Sequence, residues 1–244
     1  MSQRRHLVIA GLIWAVLSLI AMVVIAGVQI LPQVASHEAK IEDEAFVLLT
    51  IVSMPVFFFV VVGLAYSAFR FRARADEDGD GPPVHGHTGV QAAWLVITFV
   101  MVIGLFLYGA VGLVEIRGAQ EADYEVHVQG EQWKWTFTYP GGTDEDELHL
   151  PVDRRVHLVI ESIDVIHSLW LPALGVKQDA VPGRVTEAYT TATDVGTYPA
   201  RCAELCGFGH TDMTTTVVVS DQAAFDDWLS QETEESPEES PEPQ

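Results

Sequence analysis

The chain of 244 residues has only two cysteines and few basic side chains. Two cysteines allow no more than one disulfide bridge within the chain. Lysine and arginine together number 13, against 34 aspartates and glutamates, which gives a formal net charge of −21. A chain this acidic lacks the basic surface on which nucleic-acid binding depends, so we expect no nucleic acid among its partners. No internal repeat divides the sequence.

Apolar runs, in contrast, are long and free of charge. Residues 7–31, 45–69 and 92–114 each provide about the 20 apolar residues that a helix needs to cross a bilayer. The mean hydropathy is positive, at +0.22, because the acidic residues are concentrated elsewhere. The sequence therefore predicts a membrane protein with three spans, and Pro55 is expected to kink the second span.

Basic residues indicate how these spans are oriented. Arg4 and Arg5 precede the first run and three arginines follow the second within residues 70–74, whereas residues 32–44 are acidic. The positive-inside rule places the N-terminus and the 70–91 loop in the cytoplasm. Everything after about residue 117 is then outside the plasma membrane. Residues 1–36 are predicted to be a transmembrane helix, with a cleaved signal segment as the alternative, and residues 37–117 a transmembrane hairpin.

The remaining chain alternates between apolar and polar residues. The alternating apolar positions are typical of antiparallel strands in a β-sandwich or barrel, and include Tyr124, Val126, Val128, Trp133, Trp135, Phe137, Tyr139, Val156, Leu158 and Ile160. Residues 118–230 are long enough for one such domain, with a short helix over 225–229. Residues 231–244 are acidic and rich in proline, so we expect a disordered tail.

Both cysteines lie in one short segment, Cys202 to Met213 (CAELCGFGHTDM), which also contains His210. Thiolate, imidazole and thioether are ligands that select copper over harder metals. A small disulfide loop is the alternative, although it needs neither the histidine nor the methionine. Among the other histidines, His167 is a candidate remote ligand, whereas His85 and His87 belong to a Gly/Pro-rich connection and are expected to be solvated.

Three motifs make the chain resemble subunit II of the haem–copper terminal oxidases, whose outer domain carries a dinuclear copper centre called CuA. They are residues 130–139 (GEQWKWTFTY), residues 164–184 (DVIHS through GVKQDAVPGR) and the cysteine segment. The resemblance covers about residues 40–230. It implies an α+β membrane protein in which transmembrane helices precede an extracytoplasmic, cupredoxin-like Greek-key sandwich or barrel. Quinol-oxidising relatives lack the copper ligands. Because this chain has the ligand residues, the resemblance favours the copper-containing form of the subunit.

The resemblance also implies roles for individual residues. Trp133 would receive the electron, and Glu204, a ligand through its carbonyl oxygen, would direct its carboxylate to a magnesium or manganese ion shared with subunit I. Asp164 and the acidic turn 144–147 would steer a cationic donor. The implied copper ligands are His167, Cys202, Glu204, Cys206, His210 and Met213.

The implied function is that of the electron-input subunit of a proton-pumping oxidase. It would accept electrons from a cytochrome c or a blue-copper protein, soluble or membrane-tethered, and pass them to haem in subunit I, where oxygen is reduced to water. A nitric oxide reductase subunit, a membrane-tethered copper carrier and a metal-free, disulfide-closed binding module are the alternatives.

Two departures from the family pattern and the acidic composition qualify this expectation. Gln91 stands where the family often has a glutamate that admits protons, and Ile163 stands where a second carboxylate often precedes the aspartate. The scarcity of lysine and the acidic tail suit a halophilic protein. In molar salt, charges are screened within about 3 Å, so a donor would dock through local contacts.

Overall fold

A computed structural model describes residues 3–28, 31–72, 86–118 and 121–235. They divide into two compact units. One consists of Met1–Ile30 with Glu44–Gly112, and the other of Leu31–Asp43 with Leu113–Gln244. The first unit is helical, and the second is built around a β-sandwich.

Within the described residues, three helices are long and apolar enough to cross a membrane. They are α1 (Gln3–Gly27), α2 (His37–Arg70) and α3 (Thr88–Arg117). In the helical unit, the indole N–H of Trp14 on α1 donates a hydrogen bond of 2.7 Å to the carbonyl of Pro55. Pro55 lies inside α2, and the kink expected there stays a prediction. The prediction of three apolar spans is confirmed.

The second unit contains two five-stranded sheets, with strand orders β3-β2-β1-β5-β8 and β4-β10-β9-β6-β7. The parallel pairs β1–β5 and β4–β10 join strands that are distant in sequence. The strands are β1 (Tyr124–Glu131), β2 (Lys134–Thr138), β3 (Asp144–Glu145), β4 (Leu148–Pro151), β5 (Arg155–Ser162), β6 (His167–Leu171), β7 (Val176–Ala180), β8 (Thr186–Thr191), β9 (Gly196–Cys202) and β10 (Thr214–Ser220).

Alternating apolar residues form the core between the sheets, as the sequence predicts. Val126 pairs with Leu158 across β1 and β5, and both side chains are buried. Trp135 and Phe137 on β2 are buried as well. Trp133 departs from this alternation because it precedes β2, in the turn after β1, and its side chain is 41% exposed.

The segment Leu31–Asp43 is part of the sandwich unit. The Ala35 amide donates to the carbonyl of Ala173 at 2.8 Å, and the Thr193 amide donates to the carbonyl of Ala35 at 2.9 Å. Glu38 is buried and pairs with buried Arg155 at 3.7 Å. A buried charge needs such a partner. The unit therefore begins well before residue 118, where the sequence placed the start of the domain.

Helix α4 (Gln222–Glu235) closes one end of the sandwich. Phe225 is buried, and the ring of Trp228 stacks on His149 with centroids 4.1 Å apart. The helix includes the residues predicted to be helical, 225–229, but it continues beyond residue 230. The last residues of the predicted tail, 236–244, lie outside the described residues.

Of the two histidines in the Gly/Pro-rich connection, His87 lies within the described residues and His85 does not. His87 precedes α3, and its ring nitrogen accepts a hydrogen bond of 3.2 Å from the Val90 amide. This contact satisfies one of the free amides at the start of the helix. His85 and Arg74 lie outside the described residues.

We predict that a carboxylate pair weakens the docking of α4 as pH rises. Burial raises the pKa of Glu145, and the neighbouring carboxylate of Glu232 raises it further. The Glu145 carboxyl therefore binds its proton more tightly in the folded chain than in the unfolded chain. The resulting contribution to the free energy of unfolding is complete at pH values below the ordinary glutamate pKa, and it is lost as pH rises through the raised pKa of Glu145. Relative to wild type, Glu232→Gln should raise the melting temperature at pH 8 by about 1–3 °C, and by less at pH 4.

The measurement is thermal unfolding of the detergent-solubilised chain, followed by tryptophan fluorescence at both pH values. Asp227→Asn is the matched control, since it removes one exposed carboxylate from the same helix. An equal effect of the two variants at pH 8 would contradict the prediction.

Candidate metal centre

Neighbouring strands bring the two candidate ligand segments together. His167 is the first residue of β6 and Cys202 the last of β9, and these strands pair with Leu169 opposite Cys202. The loop between β9 and β10 therefore leaves the sheet beside His167. A hydrogen bond of 2.9 Å from the Cys202 amide to the carbonyl of Met213 closes the base of this loop.

Soft donor atoms converge inside the loop. The sulfur atoms of Cys202 and Cys206 are 3.8 Å apart, and both cysteines are free. The disulfide of the alternative reading would need a sulfur–sulfur distance of about 2.05 Å. The remaining contacts to these sulfurs are His167 Nδ1 to Cys202 Sγ at 4.0 Å, Glu204 O to Cys202 Sγ at 3.2 Å, His210 Nδ1 to Cys206 Sγ at 3.6 Å, and Met213 Sδ to Cys206 Sγ at 3.8 Å.

Most of this cluster is shielded from water, although His210 is half-buried and Glu204 is exposed. His167 and Met213 are fully buried, and both cysteines are buried. Burial, together with the adjacent Cys202 thiol, raises the pKa of the Cys206 thiol to about 11. In the absence of a metal the thiol is therefore protonated at neutral pH, and a soft cation would replace the proton. Among the described residues, one group of three or more His, Cys, Asp or Glu side chains has all its ligand atoms within 4.8 Å of one another. This group is His167, Cys202 and Cys206.

Asp164 orients the ring of His167. Its Oδ1 lies 2.9 Å from His167 Nε2, so that Nδ1 faces Cys202. Its Oδ2 accepts a hydrogen bond of 2.7 Å from the Gln132 amide. Burial alone would raise the pKa of Asp164, but hydrogen bonds from His167, Val165 and Gln132 outweigh it and hold this pKa below its usual value. The carboxylate is thus charged and its oxygens are already engaged inside the protein.

Gln132 and Trp133 connect the turn after β1 to the cysteine loop. The side-chain amide of Gln132 donates to the carbonyl of Cys206 at 2.6 Å, and the indole N–H of Trp133 donates to the same oxygen at 3.3 Å. Gly209 lies beneath the indole, where an added Cβ would come within 2.5 Å of the ring. A glycine is required here because any side chain would displace the indole.

The structure thus brings most of the sequence-predicted site residues together. His167, Cys202, Cys206, His210 and Met213 converge with the Glu204 carbonyl, whereas the Glu204 side chain is exposed. The acidic turn 144–147 lies elsewhere, because Asp144 pairs with Thr138 at the far end of β2, about 13 Å along the strand from Lys134. Gln132 was missed by the sequence reading, and its only signal was its position beside Trp133 in the aromatic motif.

We predict that Gly209→Ala displaces Trp133, because the added methyl group would overlap the indole. The exposure of Trp133 should rise, and acrylamide should quench its fluorescence more strongly than in wild type, because a close-packed contact cannot absorb the added methyl group. Subtracting the emission of a Trp133→Phe partner isolates this tryptophan. Gly104→Ala in α3 is the control, since nothing lies within 4 Å of its added methyl group. Unchanged quenching in Gly209→Ala would refute the close contact.

Comparisons with known proteins indicate the family to which this chain is related. The family model described as "Cytochrome C oxidase subunit II, periplasmic domain" matches residues 142–220. Cytochrome c oxidase subunit 2 of Thermostichus vulcanus is 32% identical over 256 residues, covering 83% of this chain and 78% of that protein. Quinol oxidase subunit 2 of Bacillus spizizenii is 31% identical over 186 residues, covering 73% of this chain and 58% of that protein.

Among solved structures, the periplasmic domain of subunit II of cytochrome oxidase from Bradyrhizobium japonicum aligns at 30% identity with a TM-score of 0.46. The alignment covers 48% of this chain and 97% of that one. The model of a periplasmic domain matches the sandwich, which follows three apolar helices, so the sandwich lies on the outer side of the membrane. The complex to which this subunit belongs is a membrane-bound oxidoreductase. On the extent of its similarity to the cyanobacterial protein, the chain belongs to the cytochrome c oxidase subunit II family and serves as subunit II of a haem–copper oxidase.

Proposed function

We propose that the cysteine loop and His167 hold a dinuclear copper centre through which this subunit takes up electrons. The observation that supports it is the convergence of two free thiols, two imidazoles, a thioether and a carbonyl at contacts of 3.2–4.0 Å. The proposed ligands are the side chains of His167, Cys202, Cys206, His210 and Met213 with the backbone carbonyl of Glu204.

The donor set fits copper in both chemistry and spacing. A metal–thiolate bond of about 2.3 Å allows one ion to contact both sulfurs, because their separation of 3.8 Å is less than twice that length. His167 already presents Nδ1 to the loop and has a carboxylate on Nε2, the arrangement typical of a metal-bound imidazole. When bound, copper would supply one-electron redox chemistry, and the thiolates of Cys202 and Cys206 would hold it together with His167, His210, Met213 and the Glu204 carbonyl. The chain contributes fixed donors, of which the thiols, the thioether and the His167 imidazole are buried.

Electron paramagnetic resonance of the full chain loaded with copper tests this proposal. We expect a multi-line hyperfine pattern from one electron shared by two coppers. Cys206→Ser should abolish it, because the shared sulfur is lost. Met213→Leu should keep two coppers bound but shift the reduction potential, since the thioether would be a weak ligand whose loss changes that potential. A four-line mononuclear signal from wild type, or no copper uptake, would contradict the proposal.

Trp133 is the proposed electron-input residue. It is the part-exposed aromatic side chain that contacts the cysteine loop, and its N–H reaches the carbonyl of Cys206. An electron that arrives on the indole is therefore one hydrogen bond from a ligand residue. Its neighbour Gln132 fixes the same carbonyl and so keeps the loop and the indole in one arrangement.

Asp164 positions His167 and is not a free docking carboxylate. We predict that Asp164→Asn lowers copper affinity by about 10- to 100-fold, as loss of the carboxylate partner of a ligand histidine typically does. The KM for a protein donor should stay within about twofold. Asp212→Asn is the matched control, because it neutralises an exposed carboxylate next to Met213. Copper titration and steady-state kinetics distinguish the roles: an increased KM with unchanged copper affinity would restore the docking role.

The Glu204 side chain is proposed to face the haem-bearing subunit I. Its carbonyl points to Cys202 while its carboxylate is exposed, so it can offer one ligand to a magnesium or manganese ion at a subunit interface. One carboxylate cannot hold such an ion alone, and the other ligands would come from the partner. An open groove of about 830 Å³ next to His210 and Met213 gives that partner a surface to occupy.

Proton pumping and a high-salt setting complete the proposed function. Gln91 is an amide near the start of α3, so it cannot relay protons by titrating, and another group would have to admit them. The net charge of −21 suits a halophilic oxidase. The structure and the family do not favour a nitric oxide reductase or a free copper carrier, since the relatives reported above are oxidase subunits.

A further inference from the structure

We propose that Arg155 is a positioning residue for electron transfer, which fixes the ends of two apolar helices to the sandwich and thereby holds the ligand loop at a fixed distance from the haem of the partner subunit. The inference rests on the proposed electron-input function. It concerns the first turn of α2 and the last turn of α3, both of which belong to the sandwich unit.

The guanidinium group of Arg155 closes the C-terminal end of α3. Its Nη2 donates a hydrogen bond of 3.0 Å to the carbonyl of Ile116 and lies 3.5 Å from the carbonyl of Gly118. The last carbonyls of a helix have no partner within the helix, and their partial negative charge attracts a cation. Arg155 is buried, and its guanidinium carbon lies 5.0 Å from the centre of the Tyr189 ring. These contacts hold the end of α3 against the start of β5.

The carboxylate of Glu38 joins the first turn of α2 to the same group. Its Oε1 lies 3.7 Å from Nη1 of Arg155. Its Oε2 accepts a hydrogen bond of 2.8 Å from the Thr191 amide, and Oε1 accepts one of 3.2 Å from the Thr191 hydroxyl. Thr191 is the last residue of β8, which pairs with β5. Both helix ends are thus held to two neighbouring strands of one sheet.

Ser36 adds a link from α2 to the other sheet. Its Oγ accepts a hydrogen bond of 3.0 Å from the Ala39 amide, which caps the start of α2, and donates one of 2.8 Å to the carbonyl of Leu174. Leu174 lies between β6 and β7, and β6 begins at His167. The start of α2 is therefore attached to both sheets of the sandwich.

Strand β5 connects Arg155 to the ligand end of the sandwich. Arg155 is its first residue and Ser162 its last, and the strand is paired on both sides, with β1 and β8. Its eight residues extend over about 23 Å. Ser162 Oγ lies 3.4 Å from the carboxylate of Asp164, which orients His167. A tilt of about 10° at Arg155 would therefore move the ligand end by about 4 Å.

Electron transfer is sensitive to a displacement of this size. The tunnelling rate falls exponentially with the distance between the two redox groups, and a misplacement of about 1 Å can cost about 100-fold in rate. The haem lies in another subunit, so noncovalent contacts set its distance from the ligand loop. A buried ion pair adds little stability over apolar residues of similar volume, so stability alone does not account for Arg155 and Glu38.

The test uses the purified oxidase complex with the double variant Glu38→Gln/Arg155→Met, which removes both charges and leaves neither unpaired. A flash-activated ruthenium complex supplies one electron to the copper, and haem absorbance reports its arrival in the partner subunit. We expect transfer from copper to haem to slow at least about tenfold relative to wild type. The copper content, the multi-line resonance pattern and the rate at which ruthenium reduces copper should stay unchanged.

Two single variants complete the experiment. Arg154→Met is the matched control, because Arg154 is the adjacent arginine, is exposed and pairs with Asp123 at 3.5 Å. It should leave the rate of transfer to haem within about twofold of wild type. Arg155→Lys keeps a charge beside Glu38, but lysine has no planar fork with which to contact Glu38 and the Ile116 carbonyl together. It should slow transfer at least about threefold.

A purely structural role predicts a different division of effects. The variants would then lose copper or unfold at a lower temperature, and the molecules that stay loaded would transfer electrons at the wild-type rate. A wild-type rate in assembled complexes of the double variant or of Arg155→Lys would overturn the proposal, as would an equal loss of rate in Arg154→Met. Loss of assembly in both Arg155 variants would assign this residue to folding and overturn the positioning role. If the copper centre itself were wrong, wild type would show no copper intermediate either, so the two failures are distinguished.

Discussion

The carboxylate of Asp164 holds together three segments that are far apart in sequence. It fixes His167 through Nε2, accepts the Gln132 amide from the turn after β1, and caps its own loop at the Val165 amide. Gln132 extends the link to the carbonyl of Cys206. Hydrogen bonds to a charged acceptor are stronger than neutral ones. This charged group, together with the pairing of β6 with β9, sets the relative position of both ligand segments and of Trp133.

This hydrogen-bond network lies between the buried donor atoms of the site and the side chains that face solvent. Asp164 and Gln132 use their polar groups to hold the three loops to one another, whereas the exposed carboxylates of Glu204 and Asp212 face solvent. Burial of the three sulfur atoms and of the His167 imidazole keeps water from most of the donor cluster, whereas His210 is half-buried. A largely buried centre has little solvent to reorganise when its charge changes, which favours fast electron transfer.

Much of the fold and of the site could be predicted from the sequence, because the signals are local. Apolar runs of about 20 residues and strict alternation report on spans and strands without tertiary information. The ligand loop is contiguous, and His167 was connected to it through the family resemblance. In contrast, the buried pair of Glu38 and Arg155 joins residues more than 100 positions apart, and no local pattern indicates it.

The errors in the sequence reading have physical causes as well. The alternation from Trp133 to Tyr139 does not show that the strand starts only at Lys134, so alternation alone does not distinguish Trp133 from the core tryptophan Trp135, and only the family resemblance singled out Trp133. Asp164 looks like any surface carboxylate until its partners are known. Gln132 carries no charge and no unusual spacing, and only the folded chain places its amide on the carbonyl of Cys206.

The closed base of the ligand loop has a consequence for how the protein is assembled. Strands β9 and β10 are paired up to Arg201 and Thr214, and the Cys202 amide is bonded to Met213, so both ends of the loop are already joined by the sheet. The conformational entropy of bringing the donors together is therefore lost during folding and not during metal capture. Under the proposed function, copper would be supplied to a finished domain on the outer side of the membrane, as a late step that leaves the chain's architecture untouched.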